Sequence, residues 1–167
     1  LVTEARAGNS ATRIVSRNDR AIRVVDQPMK GGGWVATFED ITEWQQAQEQ
    51  ISHMARHDAL TNLPNRTLFR EQLEKASRLA KRTDQVAVLC LDLDHFKMVN
   101  DRFSHQAGDL VLREAAQLIE GELRGMAFAA RTGGEEFAIL LVGDEGAATA
   151  FCERLREAFH THGCWGG

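Results

Sequence analysis

Four acidic residues stand at two places where a strand-like segment ends or a turn begins. Asp92 and Asp94 follow the apolar segment QVAVLCL, and Glu135 and Glu136 follow a pair of adjacent glycines. Carboxylates at the end of a buried strand, or side by side on a tight turn, are costly unless a cation meets them. Hard divalent ions such as Mg²⁺ prefer oxygen ligands and often keep water and phosphate oxygens in their shell. The pattern predicts that Asp92 and Glu135 share one metal site if the turn pairs beside the strand.

A polar cluster follows the first pair of acids. Its members are Asn100, Asp101, His105, Gly108 and Asp109. A carboxamide and a carboxylate, here Asn100 and Asp109, suit the Watson-Crick edge of guanine, since an acid accepts from the N1 and N2 hydrogens. Taken singly, Asp92 also fits a strand-end cap and Glu135 a hydrated turn residue. The two acidic points, the glycine pair and the cluster together favour a functional site.

The first third of the chain predicts a small sheet followed by a helix. Three strand-like runs between residues 11 and 40, separated by turn residues and glycines, indicate an antiparallel meander. From residue 41 the pattern changes to that of a helix with a heptad seam. The seam positions are separated by three, four, three and four residues and are Ile41, Trp44, Gln48, Ile51 and Ala55. This helix could pair with its own copy or pack as an ordinary amphipathic helix on its own domain, and its length leaves both open.

The remaining segments alternate between helix and strand patterns. A polar turn at 58–66 places Pro64 at a plausible helix start, and helical spacing follows to residue 80. The segment QVAVLCLDL predicts a strand buried on both faces, and residues 106–123 a second helix. MAFAAR and EEFAILLV predict a hairpin whose adjacent glycines supply a positive φ, and a last helix follows. We expect an α+β fold, a sheet with helices packed on it.

Composition excludes several classes of protein. The 167 residues are 43% apolar and 26% charged, which is ordinary for a globular chain. The net charge of −4 lacks the basic excess of a nonspecific nucleic-acid binder, so no nucleic-acid partner is expected. We see no membrane segment and no export signal, and three cysteines without framework spacing suit a reducing compartment. A cytoplasmic location is expected, with a membrane anchor in the parent protein left open.

Four strings in order resemble the GGDEF domain of diguanylate cyclases: DALTNLPNR at 58–66, LDLDHFKMVND at 91–101, HQAGDLVL from residue 105 and GGEEF at 133–137. The resemblance implies a palm-like sheet wrapped by helices, similar to the adenylyl cyclase core. It also implies the condensation of two GTP into cyclic di-GMP and two pyrophosphates. Each domain holds one GTP, so two copies must face each other in a homodimer.

The resemblance also implies roles for individual residues. Metal ligands for Mg²⁺ or Mn²⁺ would be Asp92, the Leu93 carbonyl, Glu135 and Glu136. The catalytic set would be Asp92, Glu135 and Glu136, the last as a further metal or acid/base residue. Substrate would be bound by Asn100 and Asp109 at guanine, and by Lys97 and the amides around His95 and Phe96 at the phosphates.

Three domains are expected from these resemblances. Residues 1–44 resemble the C-terminal part of a PAS sensor domain, 45–57 form a linker helix, and 58–167 form the GGDEF domain. We expect the helix to carry sensor control and to join two copies. The GGDEF pattern breaks off after the last helix, so we interpret the chain as a fragment cut at both ends and leave its activity by itself open. The alternative function is a non-catalytic GTP-binding GGDEF domain that regulates a partner or a downstream phosphodiesterase domain.

Two departures from the family pattern bear on function. Asn62 replaces the common Gly, and because Asn tolerates a left-handed backbone we expect little effect. The product-inhibition motif RxxD should begin at Arg124, but Ala127 stands where its carboxylate should be. We therefore expect a degenerate inhibitory site and weak or absent product feedback.

Overall fold

The computed structural model describes residues 10–80, 85–123, 127–143 and 145–162. The chain divides into two compact units, Leu1–His53 and Met54–Gly167. The strands are β1 (Ala11–Arg17), β2 (Arg20–Pro28), β3 (Trp34–Asp40), β4 (Gln85–Asp92), β5 (Ala127–Arg131) and β6 (Glu136–Gly143). The helices are α1 (Thr42–Arg56), α2 (Arg66–Leu79), α3 (Phe96–Arg102), α4 (His105–Glu122) and α5 (Glu145–His162). No helix in these described ranges is long and apolar enough to cross a membrane.

The first unit holds the predicted meander. Its sheet has the order β1-β2-β3, and both pairs are antiparallel. Asn18 and Asp19 both have positive φ in the β1–β2 turn, as a type I′ hairpin requires. Val24 on the central strand is buried and lies opposite Phe38 of β3. The alternation and turn residues therefore predicted this sheet correctly.

The second unit is a three-stranded antiparallel sheet with helices on both faces, and the α+β class is confirmed. The order β4-β6-β5 puts the second strand of the hairpin in the centre, beside β4. One face carries Ala138 and Leu140, which pack against Phe69 of α2. The other face carries Ile139, which belongs to the larger core. That core also contains Leu112, Ala115, Ala116 and Ile119 of α4 and Phe151 and Leu155 of α5.

Strand β4 is less buried than the sequence predicts. Its side chains alternate in exposure, and Val88 is 42% exposed although a strand buried on both faces was expected. The reason is position, because β4 is one of the two edge strands among the described strands, pairs there only with β6, and is not covered by α2 as β5 and β6 are. Helix α2 packs on β5 and β6, and no comparable packing joins it to β4 in the described ranges.

Helix α2 begins at Arg66, two residues later than the position of Pro64 indicated. Asn65 is its N-cap, and the Asn65 Oδ1 accepts hydrogen bonds from the backbone N–H groups of Thr67 (3.0 Å) and Leu68 (3.1 Å). The Asn65 Nδ2 donates to the Ala55 carbonyl at 2.9 Å, and the Asn65 backbone N–H donates to Arg56 at 2.8 Å. The Asn65 side chain therefore accepts hydrogen bonds from the N–H groups at the start of α2 and links this helix to the last turn of α1.

Replacing Asn65 by Ala should lower the free energy of unfolding by about 1–2 kcal/mol, because two helix N–H groups lose their acceptor. Urea unfolding measures the change. Asn65→Asp keeps the accepting oxygens and removes only the donor to Ala55, so it should recover most of the loss. If both variants lose the same amount, the capping bonds contribute nothing to stability.

Candidate functional site

The register of β4 and β6 brings two of the predicted acids together. Asp92, the last residue of β4, lies directly opposite Glu136, the first residue of β6. Directly opposed residues on antiparallel strands have Cβ atoms about 4.5–5.5 Å apart and project on the same face, so two carboxylates there repel each other. The condition set for a shared metal site, that the hairpin pairs beside β4, is met. Glu135 lies one residue earlier, in the loop, and a metal shared by Asp92 and Glu135 stays a prediction.

Gly133, the first glycine of the pair, makes room for a carboxylate rather than for an unusual turn. A Cβ atom built on Gly133 would overlap the Glu136 Oε2, so a larger residue there would displace that carboxylate from its position over the loop. A positive φ was expected for the adjacent glycines Gly133 and Gly134. This expectation is wrong, because the glycines with positive φ among the described residues are Gly32 and Gly33. Backbone N–H groups of Thr132 (2.9 Å) and Gly133 (3.4 Å) both point to the Glu136 carbonyl and close the loop.

Arg66, at the start of α2, is a cation near this pair. Its Nη2 lies 3.8 Å from the Glu136 Oε2, and its Nε donates to the Thr132 carbonyl at 2.9 Å. The Arg66 side chain is 73% exposed, so the ion pair is screened by water and weak. Arg66 therefore neutralises little of the negative charge of Asp92 and Glu136, and the pair can bind another cation.

Two further residues, Asp58 and Arg131, fix the loop between β5 and β6, and we call this pair the Asp58–Arg131 brace. The Arg131 guanidinium donates to the Gly134 carbonyl through Nε (3.1 Å) and Nη2 (2.7 Å), and its Nη1 donates to the Asp58 carboxylate at 2.8 Å. The same Asp58 oxygen accepts from the backbone N–H groups of Leu60 and Thr61 and from the Thr61 hydroxyl. The acidic loop is therefore tied to the polar turn that precedes α2.

Sequence reasoning did not find this Asp58–Arg131 brace. In the sequence, Asp58 belongs to a polar turn and to the family string at 58–66, and Arg131 ends a strand-like run. Their side chains are 25% and 12% exposed, which is low for charged groups and implies a fixed partner. The available signal was the position of Arg131, a lone cation at the end of an apolar strand, immediately before the loop.

The brace changes the acidity of Asp58. Burial alone raises the pKa of Asp58, but hydrogen bonds from the Thr61 N–H, the Thr61 hydroxyl and Arg131, together with the Arg131 charge, outweigh burial and hold that pKa below its ordinary value. A carboxyl group with a lowered folded pKa contributes stability above its unfolded pKa of about 4. That contribution is lost as the pH falls through the folded value.

We therefore expect wild-type stability to fall more steeply than that of Asp58→Asn as the pH drops from about 5 to 2, because Asn has no proton to bind there. Urea unfolding at a series of pH values measures the two slopes, and the carboxylates common to both chains cancel. Parallel slopes would show that the folded and unfolded pKa values of Asp58 are equal.

The donor set at the loop fits a divalent ion completed by a ligand. In the described part of the chain no three His, Cys, Asp or Glu side chains cluster closely enough to form a metal site by themselves. Asp92 and Glu136 supply two opposed carboxylates, and the ion pair that Arg66 makes with Glu136 is exposed and weak. Mg²⁺ is commonly held by one or two carboxylates plus substrate phosphates, so these residues suit it.

The predicted phosphate-facing residues begin α3, a short helix absent from the sequence prediction. His95 is its N-cap with φ of 59°, and its side chain makes no capping hydrogen bond. Phe96 packs into the larger core, so its ring anchors the helix and is not available to a ligand. The Phe96 N–H donates to the Leu93 carbonyl at 3.3 Å, whereas Lys97 is exposed.

The two predicted guanine-reading residues lie on neighbouring helices. Asn100 belongs to α3 and Asp109 to α4, and both are half-buried. A Cβ atom built on Gly108 would lie 2.1 Å from the Asn100 Oδ1, so the Asn100 carboxamide rests against the first turn of α4, next to the backbone of Asp109. The structure thus brings Asn100 to the helix that carries Asp109.

Two further expectations have different outcomes. Asn62 has φ of 61°, which confirms the left-handed backbone expected there. Arg124 lies outside the described residues, and Ala127 is the first residue of β5. The degenerate inhibitory site stays a prediction.

Comparison with known proteins agrees with this geometry. The family described as diguanylate cyclase, GGDEF domain, matches residues 55–163, and a PAS fold family matches residues 1–50. The diguanylate cyclase TpbB of Pseudomonas aeruginosa is 44% identical over 116 residues, covering 66% of this chain and 27% of that protein. The diguanylate cyclase DgcS of Shewanella oneidensis is 37% identical over 115 residues, covering 68% of this chain and 39% of that protein.

A solved structure shares the fold. The coiled coil and GGDEF domain of DgcB from Caulobacter crescentus, in complex with c-di-GMP, superposes with a TM-score of 0.64 at 34% identity, covering 69% of this chain and 61% of that one. The chain spans well under half the length of the curated relatives described above. By sequence and by fold, the chain belongs to the GGDEF family, with a PAS-type region ahead of its GGDEF domain.

Proposed function

We propose that this protein is a diguanylate cyclase that condenses two GTP into cyclic di-GMP and two pyrophosphates. The observation that carries the proposal is the opposed pair Asp92 and Glu136 at the end of β4 and the start of β6. A divalent cation bound between two carboxylates in that position relieves their repulsion. A nucleoside triphosphate binds such a cation through its phosphates. The relatives named diguanylate cyclase support the same activity.

The metal ligands we propose are Asp92, the Leu93 carbonyl, Glu135 and Glu136. Bound Mg²⁺ or Mn²⁺ would supply charge neutralisation at the phosphates. The protein's own contribution is to hold the carboxylates still. Gly133 leaves space for the Glu136 carboxylate, and Arg131 fixes the carbonyl of Gly134, the residue before Glu135.

Nucleotide binding is proposed to involve both sides of the α3 helix. Lys97 and the backbone around His95 and Phe96 face the phosphates, and because Lys97 is exposed its ammonium is free to approach them. Asn100 and Asp109 read the guanine edge, with the Asp109 carboxylate accepting from N1–H and N2–H. Adenine offers no such pair of donors, so the arrangement favours GTP over ATP.

The reaction balances as two phosphoryl transfers. In each, the 3′-hydroxyl oxygen of one GTP forms a bond to the α-phosphorus of the other, and the bond from that phosphorus to the bridging oxygen of the β-phosphate breaks. Pyrophosphate leaves, and Glu136 is proposed to accept the hydroxyl proton. Positioning and charge neutralisation carry most of such chemistry. Two transfers close the ring, which requires two facing sites.

Dimerisation and sensor control follow as proposals. We assign residues 1–44 to a PAS-like sensor, 45–57 to a linker helix and 58–167 to the catalytic domain. Throughout α1, all of which is described, no residue is buried, and Trp44 and Ile51, seven apart, are 58% and 55% exposed. An apolar seam left open in this way suits pairing with a second copy.

The test is product formation by the full-length protein. With GTP and Mg²⁺ or Mn²⁺ we expect cyclic di-GMP and two equivalents of pyrophosphate, separated by chromatography, and no product with ATP. Binding of GTP without any product, in the presence of either metal, would contradict catalysis and support the non-catalytic regulatory function instead.

A further inference from the structure

Gly108, like Gly133, lies directly beneath a candidate functional side chain. A Cβ atom there would meet the Asn100 Oδ1 at 2.1 Å, the Asn100 Cγ at 3.0 Å and the Phe96 Cζ at 3.0 Å. Real Cβ atoms essentially never come within 3.0 Å of another heavy atom, so something would have to move. Phe96 is 9% exposed within the larger core, so its ring has little freedom, and the Asn100 carboxamide is the group that must move.

We infer that Gly108 is a positioning residue for nucleotide selectivity: its missing side chain lets the Asn100 carboxamide lie against α4, beside Asp109. This inference rests on the proposed function, in which both residues read guanine. Glycine in a helix interior is unfavourable, and nothing in the backbone of α4 requires it, since Gly108 has no positive φ. The contribution of Gly108 is the space that it leaves for the Asn100 carboxamide.

The same helix supplies a matched control. Gly121 also lies in α4, and a Cβ atom built there meets nothing within 4 Å. Gly108→Ala and Gly121→Ala therefore make the same chemical change in one helix. Only Gly108→Ala displaces Asn100.

The experiment measures binding of guanosine and adenosine α,β-methylene triphosphates to the full chain by calorimetry, since the methylene bridge prevents transfer. Gly108→Ala should weaken binding of the guanosine analogue by about tenfold to a hundredfold, the loss expected for a misplaced hydrogen bond to a nucleobase. Binding of the adenosine analogue should change little, so selectivity falls. Asn100→Ala should have the same effect, and Gly121→Ala should bind like wild type.

The double variant Asn100→Ala with Gly108→Ala tests the steric cause. It should bind the guanosine analogue no worse than either single variant, because both act on one group. It should also unfold at a higher urea concentration than Gly108→Ala alone, since the overlap with Oδ1 is gone. If Gly108→Ala does not fold but the double variant does, the steric cause is supported. A double variant as unstable as Gly108→Ala overturns it.

The outcomes separate this inference from the proposed function. If Asn100→Ala leaves guanosine selectivity intact, the proposed guanine site fails. If Asn100→Ala lowers selectivity while Gly108→Ala binds like wild type, the proposed function stands and the role of Gly108 is wrong.

Discussion

Asp92→Asn should lower cyclic di-GMP formation by about a thousandfold or more while leaving the free protein at least as stable as wild type. The loss follows from removing a proposed metal ligand at the reacting phosphates, where one charged group accounts for several kcal/mol of transition-state stabilisation. The stability follows from the register, because Asp92 faces Glu136 and the variant removes that repulsion. Relief of such a pair contributes about 0.2–1 kcal/mol.

Three measurements check this prediction. Chromatography follows product from GTP, urea unfolding in metal-free buffer follows stability, and thermal unfolding with Mg²⁺ and a methylene GTP analogue follows binding. Wild type should be stabilised by the Mg²⁺–nucleotide pair, and Asp92→Asn much less. Glu120→Gln, an equal change of charge at an exposed position of α4, is the control and should behave like wild type. Near-normal turnover by Asp92→Asn would refute the proposed metal site.

Arg131→Met should lower the free energy of unfolding by about 2–4 kcal/mol, the largest stability loss that we predict. Methionine keeps the apolar stem but leaves the Asp58 charge, 25% exposed, without its cation, and frees the Gly134 carbonyl. Removing one partner of a largely buried ion pair leaves an uncompensated charge. Because the brace holds the acidic loop, turnover should fall as well.

Matched variants identify the cause. Arg70→Met makes the same change at an exposed arginine, whose 3.9 Å pair with Glu74 is weak, and should shift stability by less than about 0.5 kcal/mol. Arg131→Lys should recover only part, because a single ammonium cannot reproduce a fork that contacts both Asp58 and Gly134. Equal stabilities for Arg131→Met and Arg70→Met would show that the brace is not stabilising.

The element types and several candidate residues could be predicted from local pattern. Alternation and turn residues predicted the β1–β3 meander, and helical spacing predicted α1, α2, α4 and α5, since each of these signals is contained within one element. The short α3 helix was missed because its seven residues are too few to show a periodicity. The burial of β4 was overestimated because an apolar run does not reveal which neighbours a strand has.

By itself, the sequence determined which chemical groups are present: the two acidic points, the glycine pair, the guanine-reading pair and the family strings. Only the tertiary structure decided which groups meet. The register placed Glu136 opposite Asp92, and packing joined Arg131 to Asp58 across 73 residues of chain. It also set Asn100 over Gly108. These contacts depend on strand pairing and helix packing between distant segments, and no local pattern of residues encodes either.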